Sequence, residues 1–217
     1  MKAMKNSSGK AVLSKMVSAI QENKDYLGMI DGLIGDGDHG ANMNKGFSMF
    51  ADKIGGGQIS FTEGLNKLGD ILLTHIGGSM GPIYGTIFMK MAEAGSSCEE
   101  IDLLALAKMI DAGLNGLTGI VDAKPGDKTL VDTLTPARDS LMESLKTGKD
   151  FIPALEDYKA AAALGRDSTL DMIAIHGRAS RLGERSRGVL DAGAVSCCII
   201  LCAMADGIIS QLCNEPC

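Results

Sequence analysis

Apolar side chains recur at three- and four-residue intervals along most of this chain, and no stretch alternates long enough to suggest a strand. Val12, Met16, Ala19, Ile20, Asn23 and Leu27 trace one stripe and predict a helix from about residue 9 to 29. A second helix is predicted from about 40 to 54, where Gly55-Gly56-Gly57 stops it. Ser60-Phe61-Thr62-Glu63 is a capping box, in which Ser and Glu satisfy each other's free N–H groups, and it opens a helix to about His75. Another helix runs from about Pro82 to Ala94, with proline tolerated in its first turn. Ser97-Cys98-Glu99-Glu100 reads as a second capping box and predicts a long amphipathic helix to about Gly119. Helices follow from the Lys124–Thr129 turn to about Lys146 and from about Asp150 to His176, the latter with a break near Gly165. A last, strongly apolar helix ends near Leu212. These are eight helices with no linker, hence one all-α domain over residues 1–217.

The connections carry the chemistry. Sequential helices joined by short turns pack antiparallel, so the loops after helices one, three, five and seven fall at one end of an up-and-down bundle. Those four positions hold the glycine-rich, charged segments: residues 31–44, 77–82, 124–129 and 177–193. Four scattered segments thereby become one candidate site.

The first segment is the densest. Asp31, Asp36 and Asp38 lie within eight residues, separated by Gly32, Gly35 and Gly37. Carboxylates held that close repel one another unless a cation sits among them, and a few oxygen ligands with room for water and phosphate suit Mg²⁺ better than zinc. The loop leads into a helix whose first N–H groups suit phosphate. Gly35-x-Gly37-x-x-Gly40 formally matches a dinucleotide fingerprint, but no strand precedes it and its aspartates would repel a bare pyrophosphate. An EF-hand fails because loop position twelve, counted from Asp36, is Phe47 rather than glutamate. A plain solvated turn is the remaining alternative.

Composition narrows the partners. The net charge of −6 argues against nucleic acid and anionic membranes. Aromatic residues make up 4% and Trp is absent, while Met reaches 13, so the core is built of helix-favouring aliphatics. Five of the six cysteines fall after residue 196; Cys198-x-x-x-Cys202 and Cys213-x-x-x-Cys217 have zinc-like spacing, but Cys197, Cys198 and Cys202 sit in an apolar run and read as small buried hydrophobes. No signal core is visible, and the apolar segment 192–205 is too short to cross a bilayer; a reducing cytoplasm fits. Met43, Met49, Met89, Met91 and Met109 read as core, although such a lining would also suit an apolar guest.

Beside three aspartates, His39 reads as a hydrogen-bond donor to phosphate rather than a phospho-acceptor. His75 and His176 read as helix-end residues with no assigned role. Lys128 is either a phosphate partner or a surface lysine, and Arg178 stands in a charged run with Arg181, Glu184, Arg185 and Arg187. No P-loop is present.

Gly35-Asp-Gly-Asp-His-Gly-Ala-Asn-Met-Asn, Gly77-Gly-Ser-Met-Gly-Pro, Pro125-Gly-Asp-Lys-Thr, Gly177-Arg-Ala-Ser-Arg-Leu-Gly-Glu-Arg-Ser and Asp191-Ala-Gly-Ala, in that order, resemble the L-subunit family of dihydroxyacetone kinases, which is also the C-terminal module of the one-chain ATP-dependent enzymes. The resemblance covers nearly the whole chain. It implies an eight-helix antiparallel barrel with ADP or ATP and two Mg²⁺ at one end. It implies Asp31, Asp36 and Asp38 as metal ligands, and His39, Gly40, Ala41 and Asn42 at the phosphates. Gly78, Ser79 and Met80 would form the phosphate loop, Thr129 and Leu130 would lie near the nucleotide, and Asp191, Ala192 and Gly193 would help close the site. Arg178, with His39, would serve the transfer itself. The implied activity is a phosphotransferase active only with partners: ADP is rephosphorylated by a phosphocarrier M subunit, and its γ-phosphate passes to dihydroxyacetone held on a K subunit, for which this chain leaves no room. A homodimer is compatible with this pattern. Alternatives are an L-type subunit for another ketose or a fatty acid, or a nucleotide-sensing module docked on a regulator. Two positions depart from the family: Met80 replaces a small hydroxyl residue, and Ala192 replaces a common proline.

Overall fold

The computed structural model describes residues 2–214. Among them nine α-helices form: α1 (Lys10–Glu22), α2 (Lys24–Ile34), α3 (His39–Ile54), α4 (Phe61–His75), α5 (Met80–Gly95), α6 (Leu103–Thr118), α7 (Val131–Lys146), α8 (Phe151–Ser168) and α9 (Ala192–Asn214). Each of α3 to α8 packs on the next, α8 packs on α9, and α1 fits between α9 and α3, so eight helices close a ring. The ninth, α2, lies against α3 and α9. The predicted all-α fold is therefore present, with its staves in chain order.

The extra helix comes from a break inside the first predicted one. Asn23 turns its side-chain amide back onto the Ala19 carbonyl (2.8 Å), which takes an acceptor from the helix end, and the chain restarts at Lys24. The Ser60–Glu63 box forms as expected, with Ser60 Oγ accepting from the Glu63 N–H (3.2 Å). The Ser97–Glu100 box does not form. Glu100–Ile101 instead pairs antiparallel with Met4–Lys5, a two-residue ladder, and Asp102 caps α6 by accepting from the Ala105 N–H (2.8 Å). The predicted break near Gly165 is also absent: α8 runs through it to Ser168, then gives way to a 3-10 turn at Thr169–Asp171.

Side chains fill the ring. Met16, Met43, Phe47, Phe50, Phe61 and Met109 are fully buried, and Phe47 meets Phe88 edge to face at 6.3 Å. Of the other methionines singled out, Met91 is buried and Met49 and Met89 partly so. The last helix is longer than its apolar run suggested, and Ala192–Cys213 is long and apolar enough to cross a membrane; 72% of its most apolar window is nevertheless buried in the ring. Cys197 and Cys198 are buried there, as read from the sequence, and Cys217 lies outside the described residues.

Candidate functional site

The α2–α3, α4–α5 and α6–α7 connections and the segment before α9 open onto one cavity of about 640 Å³. They are the four segments that alternation assigned to one end. Ile34, Met80, Ile83, Val121, Ala123, Leu130 and Val131 supply an apolar wall, and Asp31, Asp36, Asp38, His39, Asn42 and Arg178 a charged and polar one.

The carboxylates converge because the backbone between them turns tightly. Gly35 closes α2 by donating to the Asp31 carbonyl (2.5 Å), and Gly37 adopts φ +77°, a conformation that favours glycine. Oxygens of Asp31, Asp36 and Asp38 lie within 4.8 Å of one another. Only two contacts relieve the repulsion among the described residues: the His39 N–H donates to Asp31 (3.3 Å), and Arg178 forms an ion pair with Asp36. Three negative charges against one positive leave a donor set of oxygens suited to a hard divalent cation.

His39 opens α3 and is 8% exposed. Desolvation lowers its pKa to about 4, against the opposing pull of Asp31, so the ring is neutral. Its Nε2 meets Ser196 Oγ at 2.8 Å. Asn42 lines the cavity one turn on, whereas Gly40 and Ala41 do not. Gly40 serves close packing instead, since a Cβ there would lie 1.9 Å from the Lys24 carbonyl oxygen of α2. Gly78, Ser79 and Met80 also line the cavity, at the start of α5, which no side chain caps and whose first turn includes Pro82, a residue without an N–H.

Thr129 and Leu130 line the cavity where predicted, on a turn that Asp132 holds. Asp132 is buried and accepts from the Gly126 (2.5 Å) and Thr129 (2.8 Å) N–H groups, folding the 126–129 turn onto α7. Lys128 is neither a surface lysine nor a free phosphate partner. It is 1% exposed, sits at φ +62°, and gives its ammonium to the carbonyls of Thr169 and Val189. Burial lowers its pKa. His176, given no role from sequence, bonds Asp127 at 3.0 Å and ties the fourth segment to the third.

Asp191 caps α9, accepting from the Ala194 N–H at 2.8 Å; desolvation outweighs this bond and the Lys128 charge, raising its carboxyl to about 6. Ala192 is then the first helical residue, where proline is pre-shaped for the helix and loses no hydrogen bond. Ala192→Pro is expected to raise the melting temperature of the ligand-free protein, by roughly 0.4–1 kcal/mol of stability. A thermal melt checks this, and a fall would mean that Asp191 cannot take the extended backbone that proline demands before it. Arg178, on the rim after Gly177, is 65% exposed with Asp36 as its ion-pair partner.

Val121, Ala123, Tyr84 and Ser196 were missed from sequence. Small apolar residues in a turn carry no local signal. Tyr84 and Ser196 act through a contact spanning 112 positions.

The DAK2-domain family model matches residues 33–206. The chain is 38% identical to the ADP-binding subunit DhaL of the PEP-dependent dihydroxyacetone kinase of Escherichia coli, over 85% of this chain and 88% of that one. It is 39% identical to the ADP-binding subunit DhaL of PEP-dependent dihydroxyacetone kinase 1 of Listeria innocua, with the same coverage of each. The crystal structure of the dihydroxyacetone kinase from C. freundii in complex with AMP-PNP and Mg²⁺ matches with a TM-score of 0.68 at 22% identity, over 90% of this chain; this chain spans 33% of that one.

Proposed function

The chain belongs to the DAK2-domain family, and on that footing we propose that it is the nucleotide-binding subunit of a dihydroxyacetone kinase, a phosphotransferase that passes the γ-phosphate of a bound nucleotide to dihydroxyacetone on a partner K subunit. The observation that carries the reading is the three-aspartate cluster facing one cavity that also holds the uncapped start of α5 and an apolar wall. The ADP-binding subunits named among its relatives support the nucleotide.

The residues present fit both groups. Asp31, Asp36 and Asp38 would hold Mg²⁺, the pair of ions that the family resemblance implies; when bound, Mg²⁺ supplies charge neutralisation at the phosphate oxygens. The α5 N-terminus at Gly78–Met80 and Asn42 would receive phosphates, and Leu130, Val131 and Ile83 would cover the faces of the base. Thr129 would lie at the nucleotide, with Asp191, Ala192 and Gly193 closing that side. Neutral His39 would donate to a phosphate oxygen, and Arg178 would reach the phosphoryl group in transit. Catalysis of this kind needs positioning and charge stabilisation rather than a protein nucleophile.

Dihydroxyacetone would arrive from outside, and exposed apolar side chains adjoin lining residues in the chain: Leu33 before Ile34 and Ile175 before His176. They suit a docked K subunit. ADP would stay bound and be rephosphorylated in place by a phosphocarrier M subunit, in the cytoplasm. The chain alone, given ATP and free dihydroxyacetone, should then show almost no turnover, and adding K and M subunits with a phosphorylated carrier should restore it. Steady phosphorylation of free dihydroxyacetone by the chain alone would contradict the reading.

A further inference from the structure

Behind His39 lies a closed set of hydroxyl contacts. Ser196 Oγ on α9 meets His39 Nε2 at 2.8 Å, and Tyr84 OH on α5 meets Ser196 Oγ at 2.6 Å. Both hydroxyls also reach the Gly193 carbonyl at 3.1 Å. Ser196 is fully buried and Tyr84 is 3% exposed, its ring stacked on Phe88 at 6.1 Å. Three elements distant in sequence, α3, α5 and α9, are thus joined through the Ser196 hydroxyl.

We propose that Ser196, backed by Tyr84, is a positioning residue that holds His39 as the Nδ1–H tautomer, with that N–H presented to an anionic ligand oxygen in the cavity. The proposal rests on the nucleotide reading for the ligand, though not for the tautomer. A neutral imidazole has one N–H and one acceptor nitrogen. With Nε2 taken up by Ser196, Nδ1 is the nitrogen left for the cavity, and it has no hydrogen-bond partner among the described residues. Two proton arrangements satisfy the buried groups. Either Nε2–H donates to Ser196, which passes its own proton to Gly193, or Tyr84 donates to Ser196, which donates to Nε2. The Gly193 carbonyl lies in the first turn of α9 and accepts a helical N–H, so the second arrangement does not orphan it. Electrostatics selects between them. The first turns an Nδ1 lone pair toward a cavity lined by three carboxylates, and the second turns an N–H toward it. A bound phosphate adds to the same preference.

The test is ring-¹⁵N NMR of histidine-labelled protein, with His39 assigned by its loss in His39→Gln, alongside calorimetry with Mg·ADP. His39 is expected as the Nδ1–H tautomer without ligand and to remain so with Mg·ADP. Ser196→Ala should shift the ring toward the Nε2–H form and weaken Mg·ADP binding about tenfold, the scale of one hydrogen bond to a charged group. Tyr84→Phe, which keeps the stacking, should act in the same direction by about threefold. Because Ser196 works through His39, adding Ser196→Ala to His39→Gln should cost nothing further, which a merely structural role would not produce. An unchanged tautomer in both Ser196→Ala and Tyr84→Phe, or additive losses in the double variant, would overturn the proposal. If the parent shows the tautomer but binds no Mg·ADP, the positioning stands and the nucleotide reading is what fails.

Discussion

Asp36→Asn should lower Mg·ADP affinity by on the order of a hundredfold or more while leaving the ligand-free protein as stable as the parent. The substitution keeps shape and removes one of three clustered charges. Loss of a charged oxygen ligand is felt directly by a divalent ion, at a few ångströms and in a partly desolvated loop. Two small effects oppose each other in the ligand-free state. Relief of repulsion stabilises the loop, and loss of the Arg178 pair, whose arginine is 65% exposed, costs no more than about 1 kcal/mol. Their balance should keep the melting temperature within about 3 °C. Melting curves with and without Mg·ADP separate the outcomes: the parent gains stability from ligand, and the variant gains far less. A variant that binds like the parent would reduce the loop to a turn.

Arg178→Ala should cut phosphoryl transfer about a thousandfold, the lower end for an arginine that stabilises charge in transit, while changing Mg·ADP affinity only a few-fold. Without ligand, the guanidinium neutralises one carboxylate of the cluster, so a cation at Asp36 must share or displace it. Removing Arg178 relieves that competition, which offsets a lost phosphate contact. Single-turnover transfer to the K subunit, measured beside calorimetry, separates the two effects. Loss of nucleotide as complete as in Asp36→Asn would assign Arg178 to binding.

Much of the site was legible because its chemistry is local. Asp31, Asp36 and Asp38 announce themselves through glycine-separated carboxylates, and alternation of helices was enough to bring Gly78–Met80, Thr129 and Asp191–Gly193 to the same end. Helix stripes likewise revealed the staves of the ring, since 3.6-residue periodicity survives in a sequence. What stayed hidden depends on contacts that no window contains. A two-residue ladder between Met4–Lys5 and Glu100–Ile101 has no period to detect, and it captured Glu100 from an apparent capping box. Asn23 ends α1 through one side-chain bond inside an otherwise continuous stripe. Lys128 looked like a surface residue because lysines seldom bury; only the carbonyls of Thr169 and Val189, distant in sequence, explain where its charge goes. Gly40 belonged to the right motif for a different reason, close packing on α2.

On this reading the cavity holds a magnesium-dependent nucleotide. The most direct test is calorimetric titration of metal-stripped, nucleotide-stripped protein with ADP, in the presence of Mg²⁺ and again in the presence of EDTA. One site per chain, tight with Mg²⁺ and lost with EDTA, is the predicted result. Absence of any binding of Mg·ADP, in protein whose melting curve shows it to be folded, would contradict it.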